Sequence, residues 1–202
     1  MKVGPKYKIA KRLGAAVFEK TQSQKFILRA EKKGYSTTGV HGKTNFGTQV
    51  LEKQKVRYTY GISATQLSNY VKSIVRSKIK QPEAKLFELL ERRLDNVVLR
   101  SGLATTRFQA RQIVTHGHMK VNGKKTTVPS FQVKKGDVVT VKESNRNKPL
   151  FATFKDKEKD MTPPSWINVD NKNYTITVLA DPQYKPTELA FNLGNVVQFY
   201  KR

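Results

Sequence analysis

Cysteine is absent from this 202-residue chain. That excludes a disulfide framework and any thiolate-ligated zinc or iron–sulfur centre, and it fits a reducing cytosol. Acidic residues are scarce, 15 against 39 Lys and Arg, for a formal charge of +24. Apolar residues reach only 37%, which allows a core but not a generous one. No run approaches the ~18 apolar residues of a membrane span. The opening Met1-Lys-Val-Gly-Pro-Lys6 lacks the apolar stretch of a secretory signal. The glycosylation sequon Asn173-Tyr174-Thr175 is therefore read as chance.

What the chain does have is positive charge, unevenly placed. Residues 1–60 hold 14 basic and 3 acidic residues, residues 61–140 hold 15 and 5, and residues 141–202 hold 10 and 7. Confined charge of one sign repels itself, so the folded state calls for an anionic partner. The distribution directs that partner to the first two thirds of the chain, and a basic domain of this kind points to nucleic acid. Signatures of catalysis are weak. Gly42-Lys43-Thr44 ends like a phosphate-binding loop, but Thr37 stands where the loop needs glycine, so it is discarded. Glu88/Glu91 and Asp156/Glu158/Asp160 lie in helix-surface and linker contexts rather than across a cleft. His116 and His118 have no acidic or thiol neighbours to complete a metal site.

Residues 1–48 are basic and rich in Gly, Thr and Ser, with a short helix expected near 6–13 and irregular chain after it. Such a segment is expected to order on its partner rather than alone, offering Lys6, Lys8, Lys11, Arg12, His41 and Lys43 to it. A helix is predicted over 49–60, capped by Gly61, with Lys53 and Arg57 sharing a face. A second helix follows Ser63 as N-cap, and its stripe of Leu67, Tyr70, Val71, Ile74 and Val75 reads as core. A third is predicted from about Glu83 to Arg100, burying Leu86, Leu90, Leu94 and Val97. Arg93 falls close to that stripe and is read as structural, pairing with an acid. Arg92 points away, toward solvent or RNA. A short helix over 105–116 starts at Thr105 or Thr106 and ends at Gly117. The period then changes to two. Met119–Val121 leads into Asn122-Gly123, a strong hairpin signal. Further strands are expected at 126–128, 131–133, 138–141 and 174–179, a helical turn at 187–192 and a closing strand at 196–200.

Residues 91–125 bring together what an RNA backbone needs, fixed cations and free amide donors. Arg107 and Arg111 stack on one face of the short helix, and Thr106 at its start exposes N–H groups to a phosphate. His116, His118 and Lys120 follow at once, then the hairpin Asn122-Gly-Lys-Lys125 with Lys124 and Lys125. Arg92 and Arg100 flank the surface. Folded RNA is read mostly through shape, phosphates and 2′-OH groups, which such a surface suits.

Here the chain also resembles a known family. Glu91-Arg-Arg-Leu-Asp-Asn96, Arg100-x-Gly-Leu-Ala104, Thr106-Arg-x-x-Ala-Arg111 and His116-Gly-His-x-x-Val-Asn-Gly123 are similar to the S-four RNA-binding module. Upstream, Glu52-Lys-Gln-Lys-Val-Arg57 with Tyr60-Gly61, and Gly4-Pro5, His41-Gly42 and Phe46-Gly47, resemble the small-subunit ribosomal S-four family itself. Pro164-Ser-Trp166 through Asp170 and the closing Val-Gln-Phe-Tyr200 resemble its C-terminal part. The resemblance implies a cytoplasmic ribosomal protein that binds small-subunit rRNA early, at a helix junction in the 5′ domain. It also implies contact with neighbouring proteins, protein S-five above all, where messenger RNA enters, and an influence on decoding accuracy. It marks Asp95, Gly102, Gly117 and Gly123, with Arg93, as structural. Many relatives carry four N-terminal cysteines that bind zinc; this chain has none, so no metal or other cofactor is expected. Thr38-Gly-Val-His-Gly42 also lacks the Pro and Gln common before this His-Gly pair.

The sequence thus predicts an α+β protein: a helical region with a C-terminal strand segment, plus a small module of two helices on a short twisted antiparallel sheet. The expected parts are a basic arm (1–48), a helical region (49–90) packing with 163–202, the RNA-binding module (91–150) and a linker (151–162). The alternative is an RNA-modifying enzyme carrying the same module, which would need a catalytic domain that residues 1–85 and 150–202 do not suggest. A DNA-binding protein is disfavoured because a basic hairpin stands where a recognition helix would be required.

Overall fold

The computed structural model describes residues 3–33, 44–152 and 162–201. The chain divides into two compact units, one made of residues 1–87 and 184–202, the other of residues 88–183. The protein is α+β, and no helix of the described residues is long and apolar enough to cross a membrane.

In the first unit, helix α1 (Lys6–Leu13) ends at Gly14 and a 3-10 turn (Glu19–Thr21) leads to α2 (Gln24–Lys33). The expectation of irregular chain here needs correction. Ala10, Leu13, Ala15, Val17, Phe18 and Phe26 form a buried cluster, with Leu51 and Tyr58 of the next helix packed against it. Single apolar residues spread over two helices and a turn make that core, so no one window of sequence displays it. Helix α3 (Asn45–Tyr60) starts four residues earlier than 49, because Thr44 caps it, its Oγ1 accepting from the Gly47 N–H at 3.1 Å. Gly61 closes it at φ +62°. Helix α4 (Ala64–Arg76) opens on a capping box between Ser63 and Gln66 and buries Leu67, Val71 and Ile74.

The helix expected over 83–100 is two helices, α5 (Pro82–Glu91) and α6 (Leu94–Arg100), with Arg93 extended between them. The cause is a distant segment. Leu94 N–H donates to the Phe131 carbonyl, Asp95 N–H to Pro129, and Val133 N–H to Arg92, and Arg93 bridges Gln132. Residues 131–133, expected as a sheet strand, therefore pair with the helix break instead. Leu86, Leu90, Leu94 and Val97 are fully buried nonetheless.

In the second unit, α7 (Arg107–Thr115) follows α6 and is capped by Thr106, which accepts from the Gln109 N–H. Strands β1 (Met119–Val121), β2 (Lys124–Thr126) and β3 (Val138–Val141) come next, then a short helix α8 (Pro149–Ala152). Strand β2 lies two residues before the 126–128 expected. Strands β4 (Ile167–Asp170) and β5 (Thr175–Val178) complete one antiparallel sheet in the order β2-β1-β3-β5-β4. The C-terminal segment is thus divided. Residues 163–183 extend the sheet of the module, whose expected end was 150, and only 184–202 belong with the first unit. The expected closing strand 196–200 is instead part of helix α9 (Leu193–Lys201), and a 3-10 turn at Pro186–Glu188 stands where a helical turn over 187–192 was expected. Leu193, Val196 and Val197 are buried at helical spacing, and α9 packs along α3 and against α4. Within the second unit, α6 and α7 bury Val97, Val98, Ala110, Ile113 and Val114 in one core with Met119, Val121, Val139, Val141, Ile176 and Val178.

Candidate nucleic-acid interface

Because Met119 and Val121 point into that core, Lys120 between them must point out of it. Register places Lys125 directly opposite Lys120, and Thr140, Thr175 and Asp170 continue the same row. Two lysines facing each other across a hairpin destabilise it unless an anion sits between them. The turn that sets this register is held tightly. Asn122 and Gly123 take φ +49° and +78°, as a two-residue hairpin loop requires. The Asn122 side chain donates to Asp137 Oδ1 at 2.9 Å and accepts from the Val138 N–H at 2.8 Å. Asn122, expected to touch RNA, is exposed and also fixes the hairpin. Gly117 sits at φ +70°, and a Cβ there would collide with the Lys125 side chain. The helix-ending glycine thereby lets that lysine lie across it.

The carboxylates around α6 are engaged internally. Asp95 accepts from Arg93 through both oxygens, at 3.0 and 2.7 Å, and its Oδ2 also takes Arg111 Nη2 at 2.9 Å. The Arg93 side chain is 1% exposed and that of Arg111 is 26% exposed. Buried Glu91 holds Arg100 at 2.9 and 3.0 Å and the Asn96 amide at 2.8 Å. Arg92 donates to the Val133 carbonyl at 2.6 Å, to Glu88 at 2.7 Å and to Asp181 at 3.3 Å. Arg93 and Asp95 are buried and paired with each other, and Arg92, read as facing solvent or RNA, is bonded to Val133, Glu88 and Asp181. Arg100 and Arg111 are paired yet keep one side open. Arg107, on α7, and Lys120 are half-buried, and Lys124, Lys125 and His116 are exposed. Gly102 sits at φ +82° after α6.

His118 is a poorer cation than the sequence suggests. Its ring stands edge-on to buried Phe151 at 5.9 Å and 6.1 Å from the His116 ring. Burial, then Lys148 and His116, hold its pKa below the ordinary 6.5, so at neutral pH it adds no counter-charge. Lys148, exposed on the approach to α8, was not singled out from sequence because it belongs to no motif.

In the first unit, Lys8, Lys11 and Arg12 are exposed on α1, and Lys6 lies 5.8 Å from the Phe18 ring. Lys53 stands 3.8 Å over the Phe199 ring, its pKa lowered by burial and then by Arg57. Arg57 donates to Gln54 at 2.8 Å. Lys53 and Arg57, expected to meet RNA, each lie against an aromatic ring, Arg57 at 5.8 Å from that of Tyr58. His41 and Lys43 lie outside the described residues. Among the described residues, no group of three His, Asp or Glu is placed to hold a metal ion.

Residues 2–91 match the family model described as ribosomal protein S4/S9 N-terminal domain, and residues 92–139 match the S4 domain. The small ribosomal subunit protein uS4 of Persephonella marina is 37% identical, the match covering 98% of this chain and 97% of that protein. The uS4 proteins of Chlorobaculum tepidum (39%, covering 96% of each) and Aquifex aeolicus (36%, covering 99% and 98%) are similar over comparable lengths. The chain belongs to the uS4 family. The border between the two uS4 family regions falls at the break between α5 and α6, where Arg92 and Arg93 leave helical geometry to meet residues 129–133.

Proposed function

We propose that this protein is a structural constituent of the small ribosomal subunit that binds its rRNA through the outward face of the β1–β2 hairpin, the open sides of Arg107 and Arg111, and α1. The observation that carries this reading is the sorting of charge in the second unit. Glu88, Glu91, Asp95 and Asp181 are bound to Arg92, Arg93, Arg100 and Arg111, while Lys120 and Lys125 face each other across the hairpin. A polyphosphate relieves that repulsion and releases counterions as it binds. The work is recognition without covalent chemistry. The uS4 family regions cover residues 2–91 and 92–139, and the uS4 relatives are similar over 96–99% of the chain. Binding in the 5′ domain, nucleation of subunit assembly, a contact with protein S-five, proximity to incoming messenger RNA and an effect on decoding accuracy form the finer part of the proposal, supported by the motif resemblance.

The test is binding to a 5′-domain rRNA fragment across a salt series, with duplex DNA and unrelated RNA of equal length as competitors. Tight binding that resists both competitors is expected. Equal displacement by every polyanion would reduce the affinity to net charge and defeat the assignment to a specific rRNA.

A further inference from the structure

A cavity of about 410 Å³ opens against α1 and the start of α2, lined by Tyr7, Lys11, Ser23, Lys25, Phe26 and Arg29. Its chemistry is unusual for an empty surface hollow. Tyr7 is 51% exposed although its ring meets that of buried Phe26 at 5.5 Å, so an aromatic face is left toward water. Among the described residues, Lys11, Lys25 and Arg29 form no ion pair and no carboxylate lines the cavity. Helix α2 begins at its rim, where a helix start favours anions, while the Phe26 and Ile27 N–H groups donate to the Ser23 carbonyl at 2.9 and 3.1 Å.

We infer that this cavity receives one unstacked nucleotide of the bound RNA, its base against Tyr7 and its phosphate among Lys11, Lys25 and Arg29. The inference rests on the rRNA-binding reading above and adds a mode of contact that the hairpin cannot provide. An acidic peptide would answer the three cations and leave the ring face bare. An apolar ligand would cover the ring and strand the charges. A nucleotide answers both, because every base has a π face and every linkage a phosphate. RNA bases splayed from loops and junctions stack on aromatic side chains in this way. The cavity also lies within the size range of small-ligand sites, about 300–1,000 Å³.

The experiment uses the full chain and the 5′-domain rRNA fragment, comparing wild type with Tyr7→Ala, Tyr7→Trp and Lys25→Ala/Arg29→Ala. Loss of one stacked base should weaken binding by about 5- to 150-fold in Tyr7→Ala with the salt slope unchanged. Tyr7→Trp should retain affinity, and its indole fluorescence should be quenched on RNA binding beyond the signal of Trp166 in wild type. The Lys25/Arg29 pair should lose up to about 1.5–2 in salt slope. Circular dichroism melts of the free proteins separate these effects from unfolding, and Tyr7→Trp reads the site even if Tyr7→Ala is unstable. Wild type binding tightly while Tyr7→Trp shows no added quenching would overturn the inference and leave the rRNA-binding reading intact. Quenching by adenosine monophosphate below the RNA's own binding range would make this a free-nucleotide site and overturn the assignment to RNA. Displacement by polyglutamate as readily as by unrelated RNA would reduce it to a charge patch. Failure of wild type to bind the fragment would remove both proposals together.

Discussion

Asp95 serves two arginines from different parts of the chain with one carboxylate, Arg93 before α6 and Arg111 within α7. Removing one side of a buried ion pair leaves an uncompensated charge, typically at a cost of about 3–5 kcal/mol. Asp95→Asn should therefore destabilise the protein by that amount in urea unfolding followed by circular dichroism, and a loss under about 1 kcal/mol would contradict the role given to this residue. His118 gives a pH signature. Burial, then Lys148 and His116, disfavour its charged form, so the unfolded chain binds that proton more tightly than the folded one. The fold keeps full stability above about pH 6.5 and loses some as pH falls toward the folded value. The drop in melting temperature from pH 8 to pH 5.5 should be smaller in His118→Gln than in wild type, and equal drops would exclude His118 as a source. At this scale the sequence was legible where a residue's partner was near. Arg93 could be read as buried from its place on the apolar stripe, with Asp95 two residues on. For Arg92 only Glu88, four residues back, was within local reach, whereas its other partners Val133 and Asp181 lie 41 and 89 residues away.

The β1–β2 hairpin is an element whose free and bound interests oppose each other. Lys120→Glu would place an opposite charge across from Lys125, stabilising the free protein by about 0.2–1 kcal/mol. The same change should weaken rRNA binding and reduce its salt slope. A variant that lost stability or kept full affinity would place the row of lysines outside the interface. Gly117→Ala should act through both backbone and side chain, with left-handed geometry costing about 1–2 kcal/mol and Lys125 pushed aside. A thermal melt and an rRNA titration read the two effects, and a variant with wild-type values in both would refute them. Periodicity identified α4, α7, β1 and β3 because each has a local cap or a local alternation. It failed for α9, where Val196, Val197, Phe199 and Tyr200 have strand-like composition, and packing along α3 decides for helix. It failed also at residues 131–133, where a helix break claims the backbone partners that a sheet would have used.

For the whole molecule, a charge of +24 works against compactness and for association. Raising sodium chloride from 50 to 500 mM should raise the melting temperature of the free protein by screening that repulsion. The same change should weaken its grip on rRNA. A melting temperature that fell or stayed flat would mean that local ion pairs outweigh net charge. The α+β class and the helix-then-hairpin order of the interface were legible from local pattern. The partition of the C-terminal segment was not, because strand pairing of β5 with β3 and helix packing of α9 on α3 are both contacts at long sequence separation.

Helix α9 is reached from α3 only across a wide interval of chain, as the bond between Glu52 and the Asn192 N–H, 140 residues apart, makes plain. Synthesis at about 5–20 residues per second then leaves α3 without this cover for roughly 7–30 seconds. During that interval Gln49, Glu52 and Lys53 of α3 lack the partners that residues 192–199 supply, while α6, α7 and the β1–β2 hairpin have already been made. The order of appearance puts the lysine-bearing hairpin into solution before the first unit can close. A nascent chain of this protein therefore presents its cationic middle before residues 193–201 emerge to cover α3.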